Sequence, residues 1–497
     1  MVTGDSAYEL IQSVADASSF GAGPQVEAVA LPLTLDAPVP YADRLRKARE
    51  ETGLLNGVVW GEAGIGGTPA VLLANDWRFL GGSVGVAETK TLVAAFEAAV
   101  QKNLPVVWLA RGGGSRMQEC AHSLAALSQA LAARNVLAAK HLPLITVAMD
   151  PLFGGSNLLA MQGDVVLAIA GARIGYAGIR VVEMMEPKPL PDRFQTAEWA
   201  YRNGHVDAVV AVEDLQGVLA DVLHLLSPDG RAPVAEATKP ESDFVQRSAW
   251  ECVESSRSPD NLPMRELLDE MAEQVFELRG DRICGDDPAV LGAIVRMEGQ
   301  RFVMIGHAGV HAVEDRIRHN LNAPHPSGHR KALRLVRLAE RLGLPILTMI
   351  DSPGAHADVL SEAEGQGYVL GQLIGAMLEV QVPTIGLIAG EGISAAALAL
   401  ASTDQLMMTD ASWYSVIAPE GAAAILWGDP EKKIEAAAAL GLAPSDLLKV
   451  GLVDMVVPSS PKTGDFASIL RSAILRSFQR AKEAGPSLAK RSRAKRA

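Results

Sequence analysis

The sequence predicts an α/β fold in two tandem copies. Three observations carry that expectation: a recurring spacing, apolar runs that end in small residues, and strand-like runs alternating with helical patterns. Leu104-Pro105 opens the run VVWLA and Leu142-Pro143 opens LITVAMD; Leu344-Pro345 opens ILTMI and Val382-Pro383 opens TIGLIAG. The step within each pair is the same, 142 − 104 and 382 − 344 both giving 38. The second pair follows the first at an offset of 240 (344 − 104), and Asp164 and Asp404 repeat that offset. The runs end in Gly112-Gly113-Gly114, Gly154-Gly155-Ser156, Pro353-Gly354-Ala355 and Gly390-Glu391-Gly392. Small residues let a backbone approach a ligand, and a helix that begins there presents unpaired N–H groups to an anion. Two copies of one anion-cradling unit are therefore expected.

Taken in order, the first unit is expected over residues 1–226, ending with the helical stretch DLQGVLADVLHLL. A linker is expected over 227–247, where SPDGRAPVAEATKPESDF is rich in Pro, Ser and charge and lacks apolar periodicity. The second unit is expected over 248–497. Helical patterns such as TLVAAFEAAVQKN (91–103) and KALRLVRLAERLG (331–343) separate the strand-like runs, which implies right-handed crossovers. The final segment gathers Lys482, Lys490, Arg491, Arg493, Lys495 and Arg496 without an apolar face, and is expected to be a solvated tail.

Composition bounds the function. A chain of 497 residues, 48% apolar, is long enough for more than one core. A net charge of −13 argues against a nucleic-acid surface. Cys120, Cys252 and Cys284 are an odd set, too widely spaced for a zinc ribbon, which points to a reducing compartment. No uncharged run approaches the ~20 residues that span a bilayer, and MVTGDSAYEL lacks a signal pattern, so a cytoplasmic location without a membrane partner is expected.

Side-chain catalysis has little support, since the sequence holds no nucleophile elbow, GxxxxGK[ST] loop, HExxH or paired Cys and His. Paired backbone N–H groups at strand ends are a different tool, suited to a thioester passing to its enolate. His307, His311, His325 and His329 cluster in the sequence, but in a Pro/Asn/Gly-rich stretch without carboxylate or thiolate neighbours in helical register, so no metal is expected. Asp150 and Asp351, at strand ends, are expected to cap helices.

The motifs also carry a family resemblance. YADRLRKAREETG from Tyr41, FLGGSVGVAETK (79–90), RGGGSRMQE (111–119), IGYAGIRVVE (174–183) and LPDRFQTAEW (190–199) resemble the beta subunit of acetyl-CoA carboxylase carboxyltransferase. From Trp250 onward, VFELRGDR (275–282), GHRKALRLVRLAERLGLPI (328–346), IDSPGAH (350–356), EGQG (364–367) and WYSVIAPEGAAAILW (413–427) resemble the alpha subunit. The chain is similar to beta and alpha fused in that order. The resemblance implies two tandem crotonase-like (ClpP/crotonase) ββα-spiral domains and an acyl-CoA carboxylase carboxyltransferase activity. Biotin on a separate carrier protein would be the cofactor, a coenzyme A thioester the substrate, and biotin carboxylase with the biotin carboxyl carrier protein the partners. A homodimer or higher homo-oligomer is also implied, with active sites between copies.

Carried over by residue, Gly113 and Gly114, assisted by Gly154 and Gly155, would hold the thioester enolate. Gly392, Ala395 and Ala396, with Gly354 and Ala355, would hold the biotin carbonyl. Ser115, Arg116, Arg330 and Lys331 are the candidate contacts for coenzyme A or the carrier. This chain has GEGISAAAL at 390–398 where the alpha subunit has GEGGSGGAL, and it lacks a zinc ribbon, a biotin-attachment segment and an ATP-grasp region. Those departures keep two alternatives open, a biotin-independent malonyl- or methylmalonyl-thioester decarboxylase and a non-catalytic scaffold in a carboxylase complex. Ile393 and Trp413 are expected in the core.

Overall fold

The computed structural model describes residues 6–31, 35, 38–227, 244–259, 261–459 and 466–492. Its contacts divide the chain into Met1–Pro228 and Asp229–Ala497, and most of the linker expected at 227–247 lies outside the described residues.

The first unit is built on strands β1 (Gly21–Ala22), β2 (Val58–Ile65), β3 (Thr68–Asn75), β4 (Val106–Gly112), β5 (Leu144–Phe153), β6 (Val165–Ile169), β7 (Ile174–Gly175) and β8 (Ala208–Val210). Their order is β1-β2-β3-β4-β5-β6-β8, with β7 added to the end of β5. The second unit has β9 (Gln274–Glu277), β10 (Val290–Met297), β11 (Gln300–His307), β12 (Ile346–Ser352), β13 (Thr384–Ile393), β14 (Gln405–Thr409), β15 (Trp413–Ser415) and β16 (Met455–Val457). Their order mirrors the first, β9-β10-β11-β12-β13-β14-β16, with β15 on β13. In each unit an antiparallel hairpin feeds a run of parallel strands.

Two pairs of helices start in the same register. In the first unit α1 (Val86–Lys102), α2 (Ala121–Ala139) and α3 (Gly154–Ala160) follow β3, β4 and β5; in the second α4 (Pro326–Leu342), α5 (Gln366–Glu379) and α6 (Ser394–Ala401) follow β11, β12 and β13. Helices α1 and α4 start at Val86 and Pro326, and α3 and α6 at Gly154 and Ser394, which is the offset already seen in the strands. Both α1 and α4 stop at a left-handed cap, Asn103 or Gly343. The hairpins instead lie 232 apart (Val58 to Val290, Thr68 to Gln300), so the second unit gains eight residues between β11 and α4.

Burial explains why these runs are apolar throughout rather than alternating. Strands of a parallel sheet covered on both faces have no solvent side, and every residue of β6 and β12 is buried. In the second unit Phe302, Leu347, Met349 and Leu387 pack with Leu470, Ile474 and Phe478 of the helix Phe466–Ala484. Ile393 and Trp413 join a second apolar cluster with Cys252, as expected of core residues.

Two expectations are corrected here. Arg491 is not in a solvated tail: it is 2% exposed, in the helix Leu488–Arg491, and its guanidinium pairs with buried Asp404 at 2.8 Å while donating to the carbonyls of Val380 and Val382. Arg493, Lys495 and Arg496 lie outside the described residues. Asp150 and Asp351 cap no helix. Asp150 pairs with Arg173 at 2.8 Å, and Asp351 accepts the Glu391 N–H at 2.9 Å from β13.

Candidate active site

Strand β4 ends at Gly112, and the chain turns through Gly113-Gly114-Ser115 to face the start of α3. The turn requires glycine at two places. Gly114 has φ +114° and Gly154 has φ +54°, and each is the other's near neighbour: a Cβ on Gly154 would lie 3.1 Å from Gly114 Cα. A Cβ on Gly114 would lie 3.7 Å from the Gly155 nitrogen, so the two tips touch.

The hydrogen bonds sort the four glycines. Gly113 N–H donates to Gly81 O at 3.0 Å and Gly154 N–H to Tyr176 O at 2.8 Å, so both are committed within the fold. The amides of Gly114 and of Gly155, in the first turn of α3, have no backbone partner among the described residues. Of the expected set, the amides without a backbone partner are thus Gly114 and Gly155, on neighbouring tips, with Gly155 at the positive end of a helix. Gly113 and Gly154 shape the tip.

Arg116, a candidate contact for coenzyme A or the carrier, is fully buried beneath that tip. Its guanidinium donates to Ser83 Oγ at 2.6 Å, Glu88 Oε1 at 2.7 Å and Tyr41 Oη at 3.0 Å; Tyr41 in turn donates to Glu119 Oε1 at 2.6 Å. Glu119 Oε2 accepts the Val86 N–H, and Glu88 accepts those of Gly57 and Gly85. Burial alone would lower the arginine's pKa, but the Glu88 charge outweighs it and holds the guanidinium firmly protonated. Burial also pushes the Tyr41 phenol up, keeping it neutral. Backbone bonds from Val84 N to Gly114 O and from Arg116 N to Val84 O, both 2.8 Å, fasten the tip to this cage. Tyr41, Ser83, Glu88 and Glu119 were not singled out from the sequence because the cage joins residues up to 78 positions apart. Ser115 is half-buried beside Gly155, its Oγ filling the space that a Cβ there would need.

The second unit repeats the tip with different chemistry. Gly354 has φ +114°, the same value as Gly114, and Ser394 takes the left-handed place of Gly154 with φ 61°. Ser352 stands where the first unit has Gly112, and its Oγ accepts the Gly354 N–H at 3.2 Å while donating to Asn322 O at 2.8 Å. Gly354's amide is therefore occupied by a side chain, while the amides of Ala355 and of Ala395, in the first turn of α6, have no backbone partner among the described residues. Gly392 belongs to the ladder between β12 and β15, and Ala396 is 1% exposed, so neither projects from the tip.

Beneath the second tip Asp351 is enclosed. Burial pushes its carboxyl up to about 7, against the hydrogen bond from Glu391 N–H. Its own N–H donates to His307 Nδ1 at 3.3 Å, and His311 Nε2 lies 3.5 Å from its carboxylate. Burial depresses His307 to about 3 and His329 to about 4, so both are neutral at pH 7. Among the described residues, no three of these four histidines group with ring nitrogens within 4.8 Å of one another.

Arg330 and Lys331 are also turned to the fold. Arg330 bonds to Asp281 at 2.7 Å and Glu364 at 3.2 Å, and Lys331, 1% exposed, sits between Asp286 and Val290 O, both at 2.8 Å. Both cations, candidate contacts for coenzyme A or the carrier, are thus paired with carboxylates of their own unit.

Residues 235–496 match the family described as acetyl co-enzyme A carboxylase carboxyltransferase-like. The acetyl-coenzyme A carboxylase carboxyl transferase subunits beta/alpha of Salinispora tropica are 40% identical over 473 residues, covering 91% of this chain and 82% of that protein. A probable biotin-dependent acyl-coenzyme A carboxylase beta3 subunit of Mycobacterium bovis is 33% identical, covering 89% of each. Among solved structures, transcarboxylase 12S with methylmalonyl-coenzyme A bound superposes with a TM-score of 0.75 at 19% identity, over 96% of this chain and 90% of that one. A single-chain long-chain acyl-CoA carboxylase gives 0.71 at 20% identity, over 95% of this chain and 45% of that one. These two show a shared two-domain, crotonase-like fold. With the beta-like motifs of the first unit and the alpha-like motifs of the second each folded into its own spiral, the chain belongs to the acetyl-CoA carboxylase carboxyltransferase family, beta and alpha parts joined in one polypeptide.

Proposed function

We propose that this protein is the carboxyltransferase component of a biotin-dependent acyl-CoA carboxylase, carboxylating the α-carbon of an acyl-CoA such as acetyl-CoA. The observation that carries the reading is the side-by-side placement of the unpaired Gly114 and Gly155 amides. A thioester carbonyl oxygen accepting both would gain most as the α-proton leaves and charge moves onto that oxygen. Removing one such donor typically costs about 3–4 kcal/mol of transition-state stabilisation.

The second tip fits a neutral carbonyl of a ureido ring. A Cβ built on Gly354 would find only Ile393 O, at 3.9 Å, so the face is open, and the unpaired Ala355 and Ala395 amides are the donors assigned to it. Biotin, when bound there, would deliver the carboxyl group and accept the substrate proton, which accounts for a site without a side-chain base. The protein's part is to hold two oxygens by backbone amides and to keep the tips rigid. The carrier bearing biotin and the biotin carboxylase that loads it would be separate chains. An assembly of at least two copies is supported by apolar side chains left exposed at matching places: Tyr176 and Met185 in one unit, Val416 and Ile425 in the other. No helix among the described residues is long and apolar enough to cross a membrane, and we place the protein in the cytoplasm, making malonyl-CoA for fatty acid synthesis when acetyl-CoA is the acceptor.

The test supplies purified protein with a carboxylated carrier and acetyl-, propionyl- or butyryl-CoA and follows label into the acyl-CoA. Transfer to at least one is expected. No transfer, with CO2 lost from malonyl-CoA in the absence of biotin, would replace this reading by a decarboxylase.

A further inference from the structure

The two tips are fastened differently, and the difference leaves a set of ligands in the second unit. In the first unit position 116 is the arginine of the ion-pair cage, and position 85 lies against Glu119, whose carboxylate is 2.5 Å from where a Cβ on Gly85 would sit. The offset of 240 places His356 at the arginine's position and His325 at that of Gly85. No arginine or glutamate replaces the cage there. Instead the two imidazoles stack, centroids 4.0 Å apart, with Asp358 Oδ2 3.7 Å from His356 Nδ1.

We propose that His325, His356 and Asp358 form a binding site for one divalent transition-metal ion of the zinc class, which ties the second tip to the start of α4. One donor atom from each lies within 4.8 Å of the other two. His356 Nδ1 is buried and has no hydrogen-bond partner. Asp358 spends Oδ1 on the Ser361 N–H, leaving Oδ2 directed at the imidazole at a distance too long for a hydrogen bond. The backbone holds the segments together before any ion binds: His356 N–H donates to Pro324 O at 2.9 Å, and Gln366 Nε2 reaches the same carbonyl at 3.0 Å. His325 keeps one ring nitrogen on Ser361 Oγ at 3.1 Å, the outer hydrogen bond that orients a metal-bound imidazole.

Two imidazoles and one carboxylate suit zinc, cobalt or nickel rather than magnesium, which prefers oxygen and water. Donors in a tetrahedral zinc site are roughly 3.4 Å apart, from bond lengths near 2.0–2.1 Å, so the set needs only side-chain rotation to close. Three protein ligands leave a fourth position open, the pattern of a site that exchanges its ion or takes an exogenous ligand. Because His356 directly follows Ala355, the ion would stiffen the segment that carries one of the second tip's amide donors.

The test titrates Co2+ and then Zn2+ into metal-free full-length protein, reading visible d–d absorption, bound stoichiometry and thermal midpoint, none of which needs turnover. One equivalent per chain and a raised midpoint are expected, with affinity falling at least tenfold in His356→Gln and in His325→Gln. Asp358→Asn, at an exposed carboxylate, serves as the variant that leaves the core untouched and should also weaken binding. Absence of stoichiometric binding, or binding unchanged in all three variants, would overturn the proposal.

Discussion

At the scale of single residues, the proposed chemistry turns on which amide is left unpaired. Gly113 and Gly114 are adjacent and both look like oxyanion donors in sequence, but the carbonyl that captures Gly113 comes from Gly81, on another segment. Likewise Arg116 sits in a glycine-rich loop, where an exposed arginine would meet phosphate, yet its partners Glu88 and Tyr41 enclose it. Spacing along the chain shows where backbone turns and cannot show which groups the fold has already satisfied. Replacing Arg116 by Met would strand the Glu88 and Glu119 carboxylates in a dry site, and a loss of about 3–5 kcal/mol in stability is expected from urea unfolding. Lys at this position should not restore it, because only the planar fork serves Ser83, Glu88 and Tyr41 together.

At the scale of elements, the offset of 240 was legible because the parallel strands repeat to the residue from β4 to β6 and β12 to β14. The eight residues added between β11 and α4 were not, and they introduce His311 beside Asp351. This region makes a pH prediction. His307 and His329 are depressed when folded, so each favours the folded chain above its unfolded pKa near 6.5 and loses that stability as pH falls towards 4. Asp351 is raised to about 7 when folded, so its cost grows as pH rises from about 4 to about 7. Two extra protons in the unfolded state against one in the folded state leave a net of about one at pH 5, and stability should rise with pH by about 1.4 kcal/mol per unit from these groups. Asp351→Asn should steepen that rise and His329→Leu should flatten it, read from denaturant midpoints between pH 4.5 and 6. Equal slopes in all three proteins would contradict the assignment.

For the whole molecule, the fusion of beta-like and alpha-like halves and their common spiral were readable from motifs such as RGGGSRMQE and IDSPGAH. The ends of the chain were not readable. A basic, apolar-poor sequence reads as solvated, whereas Arg491 closes the bottom of the second sheet by pairing with Asp404, the residue whose carboxylate also holds the Thr384 N–H at the start of β13. Arg491→Ala is expected to lower stability by about 3 kcal/mol, since it leaves a buried carboxylate short of its counter-charge. A change of a few tenths in a urea midpoint series would show the contact to be incidental.

Substitution at one of the two unpaired amides tests the oxyanion role most directly. Gly155→Pro removes an N–H in the first turn of α3, where proline's φ is tolerated, while Gly155→Ala keeps the N–H and makes a similar intrusion on Ser115 Oγ. Carboxyl transfer to acetyl-CoA should fall by about 10²–10³ in kcat for the proline variant, with the alanine variant retaining most activity. Equal rates in the two variants, whether both high or both low, would contradict the claim that the Gly155 amide stabilises the oxyanion.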